Sequence, residues 1–444
     1  MKTKAVIENG LKVTETGLIP EDWETTTLEN EKLFEFTNGL WKGKKAPFAA
    51  AKVIRNTNFN NDGTLSLDDV AELDVEEKQF IKRQLSGGDI ILERSGGGPK
   101  QPVGRVVFFD LKEVNYSFSN FTTRIRIKDI NTMQPKYILY YLLHFYNRGC
   151  TYELQQRTTG IRNLNFKDYK KTQVPLLSLT EQQKIAFVLS KIQQAIEQQD
   201  RIIETTKELK KSLLHKLFTE GLHGEEQKET EIGLMPKSWK IVRLGDDNIL
   251  GIVQYGISTK GYPNGKYPML RMNSLVDGHV NSKNLQFVNV DKDLFSKFKL
   301  EDGDVLFNRT NSIDLVGKTG IFNLKGDYIF ASYLIRIRTN KKILNPMFLN
   351  LYLNIAASQE RLKTLATRGV SQSNISGSRL KTFLIPLPSI LDEQEEVVNI
   401  ISKADRKLSH AESTKQTLQA LFRTMLNQLM TGKVRVKDFD FEVN

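Results

Sequence analysis

The chain has little of what staples or metallates a small fold. One cysteine, Cys150, in 444 residues excludes an intrachain disulfide and any multi-cysteine zinc site. Cys150 reads as a small buried hydrophobe in preference to a nucleophile. The five histidines (His144, His215, His223, His279, His410) show no ligand spacing, so no metal-dependent chemistry is expected. Long apolar runs are also missing. The longest, Tyr137 to Leu143, falls far short of the roughly 20 residues that span a bilayer, and Met1 to Gly10 lacks a signal-peptide core. A soluble, cytoplasmic protein with no membrane partner is expected.

What is present is an ordinary globular composition, 39% hydrophobic and 26% charged, with enough chain for about three domains of roughly 150 residues. The charge is one-sided: 64 Lys and Arg stand against 52 Asp and Glu, a net +12 with a sequence pI near 9.4. Such an excess favours a polyanion, either nucleic acid or an acidic membrane surface.

The same phrase opens two segments. Thr14-Glu15-Thr16-Gly17-Leu18-Ile19-Pro20 leads to Trp23, and Thr230-Glu231-Ile232-Gly233-Leu234-Met235-Pro236 leads to Trp239. At nearly the same spacing Arg55-Asn56 answers Arg271-Met272, Gly88-Asp89-Ile90 answers Gly303-Asp304-Val305, and Arg124-Ile125-Arg126 answers Arg336-Ile337-Arg338. Val174-Pro175-Leu176 with Ile385-Pro386-Leu387, then Glu181-Gln182 with Glu393-Gln394, complete the series. A period of about 212 residues is too long for a solenoid and describes one large unit written twice. Within each unit short strands (Asp89 to Leu92, Gly104 to Phe109, Thr123 to Ile127) precede a short helix, Tyr137 to Phe145 in the first copy and Met347 to Ala357 in the second. The fold class is α+β.

Each unit ends in a long helical pattern. Thr180 with Gln183, and Asp392 with Glu395, have capping-box spacing. Apolar residues then recur by sevens: Ile185, Ile192 and Leu213; Val188, Ala195, Ile202 and Leu209; Leu189, Ile196, Ile203 and Leu217. The second helix repeats the rule at Val397, Ala404, Ala411, Leu418 and Met425, with Ile401, Leu408, Phe422 and Leu429 alongside, while Gln199, Lys407 and Thr414 interrupt. Two amphipathic helices each lying on its own domain would give a similar pattern. Roughly 40 residues make about 60 Å, longer than such a domain is wide, so the helices are expected to pack on each other.

Catalytic motifs do not survive inspection. Gly317-Lys318-Thr319 imitates the end of a P-loop, but Ser312 stands where its first glycine belongs. Gly96-Gly97-Gly98-Pro99 lacks the third glycine and the long helix of a dinucleotide fingerprint. Asp68 and Glu77 could serve a divergent nuclease, although such charge runs are common. No Asn/Asp-Pro-Pro-aromatic segment of an amino-methyltransferase is present.

Nucleic-acid donors, by contrast, sit in loops of both copies. The first offers Lys42, Lys44 and Lys45, then Arg55, Arg94 at a strand end, Arg124 and Arg126 on one strand face, and Arg162 with Asn163. The second offers Lys260, Arg271, Asn308, Arg309 and Asn311, the strand pair Arg336 and Arg338, and Arg368 with Gln372. A strand-end arginine could lie bidentate on guanine or be merely ion-paired, and the strand-face pairs could be a phosphate row or a solvated face.

Taken together the layout resembles the specificity (S) subunit of type I restriction-modification systems. The resemblance covers nearly the whole chain, through the Gly-Leu-Ile/Met-Pro-x-x-Trp openings, the Gly-Asp-Ile/Val strands, the Val/Ile-Pro-Leu closings and the Glu-Gln helix starts in duplicated order. It implies two target recognition domains (1–178 and 223–389), each reading half of a split double-stranded DNA site. The helical segments 179–222 and 390–444, the latter with the C-terminal tail, would form an antiparallel coiled coil that sets the spacer. Two methyltransferase subunits would dock there, and restriction subunits would join them. The resemblance places S-adenosylmethionine, ATP and magnesium on those partners and leaves this chain without a bound cofactor and without catalysis. A free-standing nuclease using Asp68 and Glu77, and a scaffold that binds protein only, remain the alternatives.

Overall fold

The computed structural model describes residues 10–14, 17–41, 43, 45–98, 101–158, 161–369, 372–437 and 439. The chain divides into two compact units. One comprises residues 1–199 with 414–444, and the other residues 200–413, so each unit takes one half of each long helix.

The N-terminal unit is built on a four-stranded antiparallel sheet in the order Phe34–Asn38, Thr122–Ile127, Asp89–Glu93, Val106–Phe109. Asp89–Glu93 is buried at every position, which is why its apolar residues run consecutively. Ile90 and Leu92 face a core shared with Trp23, Tyr137, Tyr140 and Tyr141. Ile91 points the other way, into a smaller core with Ile54, Phe109 and Phe118 beside a three-stranded sheet of Tyr116–Phe118, Phe48–Ile54 and Ala71–Glu76. Each large apolar side chain so buried contributes about 1.5–3 kcal/mol. A third, small sheet of Gln155–Thr158, Ile161–Leu164 and Ser95–Gly97 lies at the end of the central strand.

The second unit repeats this plan. Its central strands run Leu250–Tyr255, Leu334–Thr339, Val305–Asn308, Thr319–Ile321, extended by two short strands to six. The small third sheet recurs as Thr310–Asn311, Ser373–Asn374 and Thr367–Arg368. One expectation fails in detail. The helix Pro135–Asn147 of the first copy is unbroken, but its counterpart stops at Asn354, and a second helix, Ala356–Thr364, follows. Ile355 is extended there (φ −68°, ψ 150°), and Gln359 Nε2 donates to the freed carbonyl of Leu353.

The long helices span Leu179–Glu220 and Leu391–Met430, 42 and 40 residues. They pack together antiparallel. In the N-terminal unit Ile185, Leu189 and Ile196 share a core with Phe422, Leu426 and Leu429, and Ile192, Leu418 and Met425 pack against it half-buried. In the other unit Leu217 and Phe218 meet Val397 and Ile401, with Leu213 alongside, and Lys210 pairs with Asp405. Ile203 and Leu408 are half-buried and Leu209 is 49% exposed, while Ala404 and Ala411 of the second helix are buried. The first helix also starts earlier than its capping-box spacing suggests: Ser178 Oγ accepts from the Glu181 amide at 3.3 Å, a Ser-x-x-Glu cap in place of Thr180 with Gln183. Just inside, buried Gln182 accepts from Gln134 N and donates to Thr132 O and Leu177 O. Gln394 does the same at Asn345 N and Ile343 O, so the duplicated Glu-Gln pair locks each helix start to its own domain. Among the described residues no helix is long and apolar enough to cross a membrane.

Candidate nucleic-acid interface

In each copy several loops meet where the central strand ends. In the first, Arg94 N and Ser95 N both bond to Phe121 O, Leu164 N bonds to Arg94 O, and Gly39 N bonds to Thr122 O. Asn163 pairs with Ser95 and Arg162 with Gly97 across the small sheet. In the second, Arg309 N bonds to Tyr333 O, Ile375 N to Arg309 O, and Thr310 pairs with Asn374. The strand register carries the chain out of the sheet, and the small third sheet holds the emerging loops together.

The side chains gathered there are polar, cationic and aromatic. Arg94 lies 4.4 Å above the centroid of the Phe166 ring, and its Nη1 donates to Asn38 Oδ1 at 2.7 Å. Burial holds this guanidinium below the usual arginine value, where it stays charged. Arg309 lies 4.8 Å above Tyr255, with Nη2 donating to Asn374 Oδ1 at 3.1 Å and Nη1 to Ser332 O at 3.4 Å. Arg162 donates to Gln155 Oε1, and Arg368 and Gln372 are exposed on the matching ribbon of the second copy. Asn311 Nδ2 contacts Met272 Sδ at 3.2 Å, which brings Arg271 to the same corner. Trp41, Phe121 and Tyr333 add exposed aromatic surface.

Other candidates have different surroundings. Asn308 is buried, donates to Leu315 O, and leaves Oδ1 without a partner among the described residues. Arg55 is paired with Asp69 at 3.1 Å. Lys45 and Lys260 are exposed; the Lys45 amide is bound by Glu76. Lys42 and Lys44, like Thr159, Gly160, Val370 and Ser371 of the adjoining loops, lie outside the described residues.

The four strand-face arginines are neither a phosphate row nor a solvated face. Arg124 and Arg336 are only 3% and 4% exposed. Arg124 donates to Gln84 O, Thr37 and Glu35, and Arg336 to Lys299 O and Gln254. Arg126 forks onto Asp89 with two bonds of 2.7 Å, and Arg338 onto Asp304 at 2.7 and 2.9 Å. The bond to Asp89 raises the Arg126 pKa, and the bond to Asp304 that of Arg338, whereas burial lowers those of Arg124 and Arg336. The period of two put each pair on one face correctly, but that face meets buried carboxylates and carbonyls that only the fold supplies.

The nuclease alternative gains nothing locally. Asp68 accepts from Ser66 and Glu77 opens a short helix, and among the described residues no three His, Cys, Asp or Glu side chains are grouped to hold a metal ion. The residues that sequence reasoning missed are the supports: Asn38, Phe166, Tyr255 and Asn374.

Comparison with known proteins agrees with the duplication. The family described as "Type I restriction modification DNA specificity domain" matches residues 20–207 and again 236–420. The chain is 25% identical over 437 residues to the putative type I restriction enzyme MjaX specificity subunit of Methanocaldococcus jannaschii, covering 97% of this chain and 98% of that protein. It is 23% identical over 448 residues to the EcoKI specificity subunit of Escherichia coli, covering 96% and 90%. In fold it is similar to the crystal structure of the type I S subunit from M. genitalium, with a TM-score of 0.59, 17% identity, and coverage of 97% of this chain and 99% of that one. The chain belongs to the type I restriction-modification DNA specificity family and carries its domain twice.

Proposed function

We propose that this chain is the sequence-reading subunit of a type I restriction-modification assembly in the cytoplasm. Each loop cluster reads one half of a bipartite site on double-stranded DNA. One observation carries the reading: in both copies a guanidinium stands at the end of the equivalent central strand, stacked on an aromatic ring and beside a ribbon bearing Arg, Asn or Gln donors. Polar donors held at a loop cluster are what base edges and phosphates require, and the net +12 charge supplies the long-range attraction.

In this reading the antiparallel helices set the spacer and dock two methyltransferase subunits, to which restriction subunits are added. Methyl transfer with S-adenosylmethionine, and cleavage with ATP and magnesium, belong to those subunits, and the chain alone turns nothing over. The test is co-expression with the neighbouring modification subunit followed by methylation mapping. A split, chain-dependent methylated sequence is expected, together with DNA binding whose log affinity falls linearly with the logarithm of salt concentration. Methylation or cleavage by the purified chain alone would overturn it.

A further inference from the structure

Asn38 and Tyr255 occupy the same place in the two copies. Asn38 pairs with Thr123 and Tyr255 with Ile335, each just before an Arg-Ile-Arg strand segment. Asn163 and Asn374 also correspond, pairing with Ser95 and Thr310, and three residues further on stand Phe166 and Gly377. In the first copy the strand-end position gives the amide oxygen that holds Arg94, and Phe166, three residues past the ribbon asparagine, gives the ring. In the second copy the strand-end position gives the ring under Arg309, and the ribbon gives the amide oxygen. At the strand end an amide in one copy is exchanged for a ring in the other, while the ribbon position is asparagine in both.

The exchange is built into the packing. Tyr255 Oη accepts from the Gly377 amide at 2.7 Å, and a Cβ at residue 377 would stand 3.1 Å from that oxygen, closer than side chains normally approach. A side chain at residue 377 would therefore crowd the tip of Tyr255 and push it aside by a few tenths of an ångström. Both arrangements still hold one guanidinium between a ring and an amide oxygen.

These two arginines also differ from the structural ones. Arg126 and Arg338 are neutralised by buried carboxylates, but neither Arg94 nor Arg309 has a carboxylate partner among the described residues. Nη2 of Arg94 makes no hydrogen bond among the described residues, and Arg309 uses one N–H on each terminal nitrogen and keeps the other. A guanidinium that is clamped in orientation, uncompensated in charge and left with free donors is prepared for an acceptor from outside.

We propose that Phe166 with Asn38, and Tyr255 with Asn374, are positioning residues that aim Arg94 and Arg309 at the acceptor edge of a guanine, one in each half-site. This rests on the DNA-reading function proposed above. A fixed orientation favours a base edge over a phosphate, because a phosphate accepts from many directions while guanine O6 and N7 require an aligned fork.

The experiment uses the full chain co-expressed with its modification subunit on a library of randomised bipartite sites, with methylation read by sequencing. Tyr255→Leu is expected to lower the preference for one G·C pair in one half-site about tenfold, within the range of about 5- to 150-fold for a lost bidentate contact, and to leave the other half unchanged. Tyr255→Phe, which keeps the ring, should retain the preference. Phe166→Leu should act on the opposite half, and Asn374→Ala on the same half as Tyr255→Leu, which keeps the test open should the latter fail to fold. Unchanged base preferences in these variants while methylation persists would overturn the proposal, as would a uniform fall across all sequences, which marks a phosphate or purely structural role. An unaltered chain that confers no sequence preference would instead remove the DNA-reading function itself.

Discussion

Arg435 grips Glu181 across 254 residues of sequence, with Nε to Oε1 at 2.7 Å and Nη2 to Oε2 at 2.9 Å. The same guanidinium forks onto Asp22 at 2.8 and 2.9 Å and lies 5.4 Å from the Trp23 ring centroid. The C-terminal tail thus fastens the first turn of the first long helix to the opening Pro-x-x-Trp phrase of the N-terminal domain. Hydrogen bonds to Glu181 and Asp22 raise the Arg435 pKa.

Removing Arg435 leaves the buried Glu181 carboxylate without its counter-charge. Arg435→Ala is expected to destabilise the N-terminal unit by about 2–4 kcal/mol, near the lower end for a broken buried pair because Arg435 is partly exposed. Adding Glu181→Gln should recover part of that loss. Denaturant unfolding of the single and double variants measures the coupling, and strictly additive losses would show that the pair acts through packing alone.

The buried ion pairs and the clamped arginines predict opposite phenotypes. Arg338→Ala removes the forked partner of Asp304, which is 1% exposed and keeps only the longer contact to Arg336 at 3.7 Å, and should cost about 2–4 kcal/mol of stability while leaving the base preferences of any folded molecules intact. Arg309→Ala should leave the unfolding midpoint nearly unchanged and lower discrimination in one half-site by about 1–3 kcal/mol, with Arg94→Ala acting on the other half. Thermal unfolding and methylation profiling of the same preparations separate the two outcomes.

How far this was legible follows from the kind of signal each feature leaves. The duplication and the long helices stood out because whole phrases and heptads repeat. Strand faces were also readable, since Arg124 and Arg126 do share one. Their partners were not, because Asp89 and Glu35 are distant in sequence and only the sheet register brings them near. The supports of Arg94 and Arg309 were hidden for a subtler reason. Comparing the copies position by position sets Asn38 against Tyr255 and Phe166 against Gly377, so a shared arrangement looks like divergence.

His144 carries a pH dependence. Nε2 donates to Asn427 Oδ1 at 3.1 Å, and burial lowers the imidazole pKa below its ordinary 6.5, with the Arg148 charge acting in the same direction. The folded chain therefore disfavours the imidazolium, and unfolding takes up a proton below that value. The stability due to neutral His144 is complete above about pH 6.5 and declines as pH falls toward the lowered folded value. Between pH 8 and 5 the unfolding midpoint of the wild type should fall more steeply on acidification than that of His144→Gln. Parallel curves would remove His144 as the cause.

The helices offer a test of spacing. At 42 and 40 residues they run about 60 Å. Gln199 and Ser413 mark the places where each crosses from one compact unit to the other. Four residues inserted after Gln199, with four more after Ser413 to keep the antiparallel helices matched, add about 6 Å and slightly more than one turn. A four-residue insertion is a stutter that nearly preserves an apolar stripe, so folding should survive. At roughly 3.4 Å per base pair, 6 Å corresponds to one to two base pairs. The variant should keep both half-site sequences and methylate sites whose gap is longer by that amount, as read from the same randomised library. An active variant with an unchanged gap would show that something other than helix length sets the spacing.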